Sequence, residues 1–151
     1  MASGHAIVLG GSIAGLLAAR VLADHFERVT LVERDPLARD NEPRKGVPQG
    51  RHGHVLLMAG YQVIRRLFPD LVASVEAAGV PVNLGRDVRW HHFGVFKVTF
   101  DSAIEAPVVS RTFLEREIAR RVAALPAVQV LEGYDILGIV AGAGGGARVT
   151  G

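Results

Sequence analysis

The chain has no cysteine, a single tryptophan and only 6% aromatic residues. Without cysteine there can be no disulfide, no thiolate metal site and no cysteine nucleophile, a composition that fits a reducing, cytoplasmic setting. Long apolar runs are missing too: none approaches the roughly 18 residues a membrane span needs. The N-terminus lacks a charged segment followed by an apolar core and cleavage site, so no secretion signal is expected. Charge of one sign is also scarce. Seventeen basic residues against 15 acidic ones leave a net charge of +2, too little to argue for a nucleic-acid partner. What is abundant is apolar residues, 49% of 151, which excludes a disordered chain and fits one domain with a real core. There is no internal repeat.

The informative stretch is HAIVLGGSIAGLLAARVLADHFERVTLVE, from His5 to Glu33. Ala6-Ile7-Val8-Leu9 is a continuous apolar run, the mark of a strand covered on both faces. Gly10-Gly11-Ser12-Ile13-Ala14-Gly15 follows at once, and Ile13, Leu17 and Val21 then repeat at helical spacing. A second strand, Val29 to Val32, ends in Glu33. This is the pattern of a dinucleotide pyrophosphate turn. Gly10 permits the tight turn, a small residue at the second position admits phosphate to the backbone N–H groups, and Gly15 lets the helix lie close to the strand. The helix N-terminus offers unpaired donors and a partial positive charge. Glu33, about 20 residues on, stands where a carboxylate accepts hydrogen bonds from ribose hydroxyls. Ser12 replaces the glycine of the motif's second position; it is small, and its hydroxyl can donate to phosphate. The competing reading is a helix packed on a strand through small residues.

Arg34 to Arg51 holds three prolines, two glycines and many charges, so it is a loop, longer than ordinary connections. Its cations Arg34, Arg44, Lys45 and Arg51 lie near the carboxyl end of the second strand, where open parallel sheets bind ligands. Two readings stand, a loop that covers a cofactor or a solvated charged loop. The spacing predicts a helix over 54–68 with Val55, Ala59, Val63 and Leu67 on one stripe, stopped by Pro69. A short helix follows over 70–78, capped by Gly79, and then an extended piece over 81–84.

Val88 to Phe100 switches to period two, with His91-His92-Phe93-Gly94 as the turn and Phe96, Val98 and Phe100 on one face. The adjacent histidines point to opposite faces of a strand and have no further ligand nearby, so no metal is expected. A third helix begins near Thr112-x-x-Glu115, a capping box, with Ser110 a rival cap. Leu114, Ile118, Val122 and Leu125 form its buried stripe, and Arg116, Arg120 and Arg121 face water. Arg111 stands just ahead of it, either reaching an anion or simply exposed. Val128 to Leu131 reads as a further parallel strand returning beside the first, and segments 134–140 and 147–150 as a hairpin.

A glycine turn of this kind serves both NAD and FAD proteins. Here the second strand is followed by a long basic loop, two helices and a period-two excursion before the third sheet strand. That order, with the segments GGSIAGLLAARVLADHFERVTLVERD, RKGVPQGRHGHVLL and SRTFLEREIARRV, resembles the p-hydroxybenzoate hydroxylase-like FAD-dependent monooxygenases, the flavoprotein aromatic hydroxylases. The resemblance implies an α/β fold: a Rossmann-like FAD-binding domain of the glutathione reductase-like variant, a parallel sheet with flanking helices, a short β excursion and a C-terminal β-hairpin. It implies that Gly10, Gly11, Ser12, Ile13, Ala14 and Gly15 hold the FAD pyrophosphate, that Glu33 binds the adenosine ribose with Arg34 beside the adenine, and that Arg44 and Arg111 contact the cofactor with Gln49 toward the flavin. Such enzymes reduce FAD with NAD(P)H, form a flavin peroxide with oxygen, and insert one oxygen atom into a small organic or aromatic substrate.

Members of that family are a few times longer, and their later Asp-Gly and Gly-Asp segments do not occur here. Residues 1–151 are therefore expected to be the truncated N-terminal part of an FAD-binding domain, with 85–103 belonging to the sheet of an absent substrate domain. Self-association through the uncovered surface is a further expectation. Two other readings remain, a related flavoprotein halogenase or reductase, and a non-catalytic nucleotide-binding module. No residue earns a catalytic role: nothing places His52, His54, His91 or His92 at a reacting atom.

Overall fold

The computed structural model describes residues 4–40, 42–51, 56–103, 105–142 and 146–151. It begins with β1 (His5–Leu9), α1 (Ile13–Leu22) and β2 (Arg28–Glu33), then a 3-10 turn (Pro48–Arg51), α2 (Met58–Leu67) and α3 (Leu71–Ala78). The short strands β3 (Val80–Asn83), β4 (His91–His92), β5 (Val95–Phe96) and β6 (Glu105–Val108) follow, then α4 (Arg111–Ala123), β7 (Val128–Glu132), β8 (Gly138–Ala141) and β9 (Ala147–Thr150).

The parallel sheet runs in the order β1-β2-β7. In its register Ala6, Val29 and Val128 stand side by side, as do Val8, Leu31 and Val130. This face meets Leu16 and Ala19 of α1 and Leu114, Ile118 and Val122 of α4, and with Tyr61, Ile64, Phe68, Leu71 and Val75 it makes the core. Burying so many branched side chains, at roughly 1.5–3 kcal/mol each, is what holds α1 and α4 over the strands. β7 lies beside β2, not beside β1 as expected. The right-handed crossover rule fixes the sense of a connection and leaves the neighbour open. β2 takes the central place because Val29, Thr30, Leu31 and Val32 are all buried. The expectation that β1 is covered on both faces also fails: Ile7 and Leu9 are exposed, on the face that, with Thr30, Leu131 and Val149, lines a groove of about 390 Å³.

Several local expectations shift. In α2 the buried side chains are Tyr61 and Ile64, while Ala59 and Val63 are exposed; the large rings of Tyr61 and Phe68 win the core-facing stripe over Val63. His52, His54 and Val55, with the expected start of that helix, lie outside the described residues. Gly79 caps α3 in extended backbone (φ −93°, ψ 159°), not left-handed, because the chain enters β3 directly. Histidines 91 and 92 sit in β4, paired with Phe96 and Val95. The turn is only Phe93-Gly94, both at positive φ (51° and 82°). The ladder ends at Phe96, so Val98 and Phe100 do not share a strand with it, and all of 89–100 is exposed. Ser110, the rival cap, starts α4: its hydroxyl accepts from Phe113 N–H at 3.1 Å. Arg121 does not face water; it bonds Glu117 at 2.7 Å and Asp70 at 2.8 Å, pinning α4 to the start of α3. The hairpin is formed by β8 and β9, antiparallel as the sequence implied.

Candidate functional site

The site is the junction of β1, α1 and β2. At Gly10 the chain turns with φ +95°, a conformation only glycine adopts without strain, and its N–H donates to Val32 O at 2.8 Å. Ser12 then stands as N-cap in extended backbone, its side chain making no capping bond. The first bond into the helix is Leu16 N–H to Ser12 O. Among the described residues the N–H groups of Ile13, Ala14 and Gly15 therefore have no backbone acceptor, and the first turn carries no acid. The helix can sit so low because of Gly15: a Cβ there would lie 1.8 Å from Gly10 O.

Glu33 closes β2 beside this mouth. Its carboxylate accepts from Gly11 N–H at 2.6 Å and from Asp35 N–H at 3.0 Å. Arg44 arrives from the long loop, with Nη2 2.9 Å from Glu33 Oε2. Its Nη1 donates to Gly11 O at 2.9 Å and to Glu115 Oε1 at 2.7 Å. Arg111, the first residue of α4, has Nε 3.8 Å from the other Glu115 oxygen. Two arginines and two glutamates thus gather at the turn, their formal charges cancelling. Burial pushes the Glu33 carboxyl up, but the N–H groups of Asp35 and Gly11 and the Arg44 guanidinium outweigh it and hold Glu33 below its ordinary value. Burial likewise opposes the Arg44 charge, and bonds to Glu115 and Glu33 more than restore it. The Nε atoms of Arg44 and Arg111 are buried and, among the described residues, have no hydrogen-bond partner. Orphaned donors of this kind cost free energy, and an anion at the mouth is a chemistry that would relieve it.

Of the residues singled out from sequence, the structure brings Gly10, Gly11, Ser12, Ile13, Ala14, Gly15, Glu33, Arg44 and Arg111 to one place. Arg34 is exposed and 3.9 Å from Asp35. Gln49 is exposed on the 3-10 turn, whose Gly50 packs near Pro43 and Thr112. Sequence reasoning missed Glu115, which it treated as a cap partner. The available signal was a four-residue step from Arg111 beside the apolar stripe of Leu114 and Ile118. Among the described residues no three His, Asp or Glu side chains gather as a metal site; the rings of His91 and His92 lie against Phe96 and Phe93. No helix among those residues is long and apolar enough to cross a membrane.

No family model matches the chain. Over 133 residues it is 42% identical to Protein Rv3254 of Mycobacterium tuberculosis, an alignment covering 84% of this chain and 28% of that protein. Among solved structures it superposes on PqsL, a probable FAD-dependent monooxygenase from Pseudomonas aeruginosa, with TM-score 0.67 and 19% identity, over 97% of this chain and 38% of that one. It matches the myxobacterial chondrochloren halogenase CndH, a variant of FAD-dependent halogenases, at TM-score 0.66 and 20% identity, over 99% and 35%. It matches the p-nitrophenol 4-monooxygenase PnpA from Pseudomonas putida at 0.66 and 16%, over 99% and 39%. The chain has the fold of one part of these flavoenzymes. It spans 28% of the curated relative and 35–39% of these three structures.

Proposed function

We propose that this chain holds the adenosine and pyrophosphate end of FAD, as the cofactor-binding portion of a flavin-dependent monooxygenase acting on a small organic or aromatic substrate with NAD(P)H as reductant. The observation that carries the reading is the meeting of α1's first N–H groups, which have no backbone acceptor among the described residues, with Glu33, whose carboxylate lies 2.6 Å from Gly11 N, and with two arginines whose buried Nε atoms have no hydrogen-bond partner there. Bound FAD would supply the redox chemistry, accepting hydride equivalents from NAD(P)H and activating oxygen for insertion into the substrate. The chain's own residues do the holding. Amides of Ile13, Ala14 and Gly15 suit a pyrophosphate, because N–H groups and the helix dipole both favour anionic oxygen. Glu33 suits the ribose, accepting from its hydroxyls. Arg44 and Arg111 supply fixed positive charge for the phosphates, and in this reading Arg34 lies beside the adenine and Gln49 toward the flavin. The 85–103 excursion, exposed over 89–100, then serves a substrate-domain sheet. A flavin-dependent halogenase is the second reading, favoured by the equal likeness to CndH.

Titration of the protein with FAD, followed by flavin fluorescence, tests the proposal. Saturable quenching that ADP competes away is expected; no binding to folded protein would overturn it.

A further inference from the structure

We propose that Glu115 is a positioning residue of this site: it holds the Arg44 and Arg111 guanidinium groups against the mouth of α1, so that the diphosphate meets cations already in place. The inference rests on the reading of the junction as a dinucleotide site. Glu115 is only 3% exposed, and burying a carboxylate costs free energy unless it is paired. Its pairing is divided. Oε1 takes Arg44 Nη1 at 2.7 Å, and Oε2 faces Arg111 Nε at 3.8 Å. The two arginines come from different parts of the chain, Arg44 from a proline-rich loop 71 residues away and Arg111 from one turn earlier on α4.

The loop needs such an anchor. Between β2 and the 3-10 turn its described residues form no strand or helix, yet the Arg44 side chain is just 8% exposed. Glu33 alone would not fix Arg44 in this pose, since a single carboxylate leaves the guanidinium fork free to swing about it. Three points do fix it: Glu33, Glu115 and Gly11 O. A positioned guanidinium loses less freedom when it binds phosphate, which strengthens the contact. Glu115 also offsets the cationic charge of its partners, so the site does not repel its own arginines before ligand arrives.

The test compares E115Q with the intact protein, titrating both with ADP, FAD and adenosine below the melting temperature of each. Loss of positioning weakens ADP and FAD roughly 10-fold or more, the scale of one charge-assisted contact, and leaves adenosine, which has no phosphate, unchanged. Equal loss for all three ligands, or no loss, overturns the role. A second arm uses R44M and R44M/E115Q. If Glu115 acts through Arg44, E115Q costs little further ADP affinity in the R44M background; additive losses overturn the inference. Should E115Q fail to fold, E115D keeps the charge, shortens the reach and is judged by the same comparison. If intact, folded protein binds neither ADP nor FAD, the reading of the site fails first and the role assigned to Glu115 fails with it.

Discussion

Gly15→Ala is the sharpest perturbation of the glycine turn, because it adds one methyl group at the closest approach of α1 to the strand. That methyl would stand 1.8 Å from Gly10 O, where real Cβ atoms stay beyond 3.0 Å. The obstacle is a backbone oxygen, not the end of a flexible side chain, so helix or turn must move by more than an ångström. Overpacking of this kind costs about 1–3 kcal/mol; the backbone obstacle argues for the upper end. Alanine returns about 1 kcal/mol through better helix propensity. The net expectation is a loss of about 1–2 kcal/mol, read as a lower urea midpoint at unchanged slope. The ligand effect should be larger than the stability effect. Displacing amides by an ångström from donor positions of 2.7–3.1 Å removes most of their hydrogen bonding to an anion, so FAD affinity should fall by about 100-fold. The control is Gly60→Ala on the exposed side of α2, where among the described residues a Cβ would meet only Leu56 at an ordinary 3.5 Å. Wild-type stability together with wild-type FAD affinity in Gly15→Ala would refute the claim that close helix–strand contact builds the site.

Other outcomes follow from the same geometry. Gly60→Ala itself should stabilise the protein by about 0.5–1 kcal/mol through helix propensity and reduced unfolded-state entropy, visible as a raised thermal midpoint. Arg44→Met should cost about 3 kcal/mol, because it strands Glu33 and Glu115 as buried carboxylates without their shared cation; chemical denaturation checks this. Asn83→Ala should free the excursion. Its Oδ1 accepts from Gly85 N–H, Arg86 N–H, Ser102 N–H and Ser102 Oγ, and its Nδ2 donates to Asp101 and Ser102 O. Loss of about 2–4 kcal/mol and faster amide exchange over 84–102 are expected, with unchanged exchange counting against this role. Glu33 and Glu117 both have depressed carboxyl groups, Glu117 because its bonds to Arg121 and Arg120 outweigh burial. Their contribution is therefore complete above the ordinary value of 4.5 and drains away as pH falls through their lower folded values. Denaturation midpoints should hold from neutrality to about that pH and then drop; a midpoint that rises on acidification would contradict the sign.

How much of this was legible in the text depends on how far apart the interacting residues lie. The glycine turn, α1, β2 and Glu33 fall within one short stretch, and each is demanded by local physics: a positive φ at Gly10, a missing Cβ at Gly15, an acid one strand over. α4 was legible from its Leu114, Ile118 and Val122 spacing, and so was the β8–β9 hairpin. Where two local signals competed, text alone could not choose. Ser110 and Thr112 are both good caps, and Val63 and Ile64 both apolar; tertiary packing decided for Ser110 and Ile64. The position of β7 beside β2 was beyond reach, since handedness rules do not name a neighbour and the deciding bond, Val29 N–H to Ala127 O, spans most of the chain.

The charged cluster shows the same limit in its strongest form. Arg44 and Arg111 could be named as candidate cations, because each sits near an element's end where a ligand would bind. What turns them into a site is Glu115, and its meaning depends on burial. On an exposed helix face, Arg111 and Glu115 one turn apart would be worth only about 0.3–0.5 kcal/mol. At 3% exposure the same carboxylate must be matched, and it is matched by a residue from a loop whose composition leaves open whether it covers a cofactor or lies solvated. A loop rich in Arg, Lys and Pro does not say which of its cations will be carried inside. The reason becomes visible only from the partner's side, where Gly11 O, Glu33 and Glu115 converge on a single guanidinium. An acid one turn into a helix, flanked by core residues and preceded by arginine, is therefore the pattern to look for when a basic loop must be judged as cofactor-facing or merely solvated.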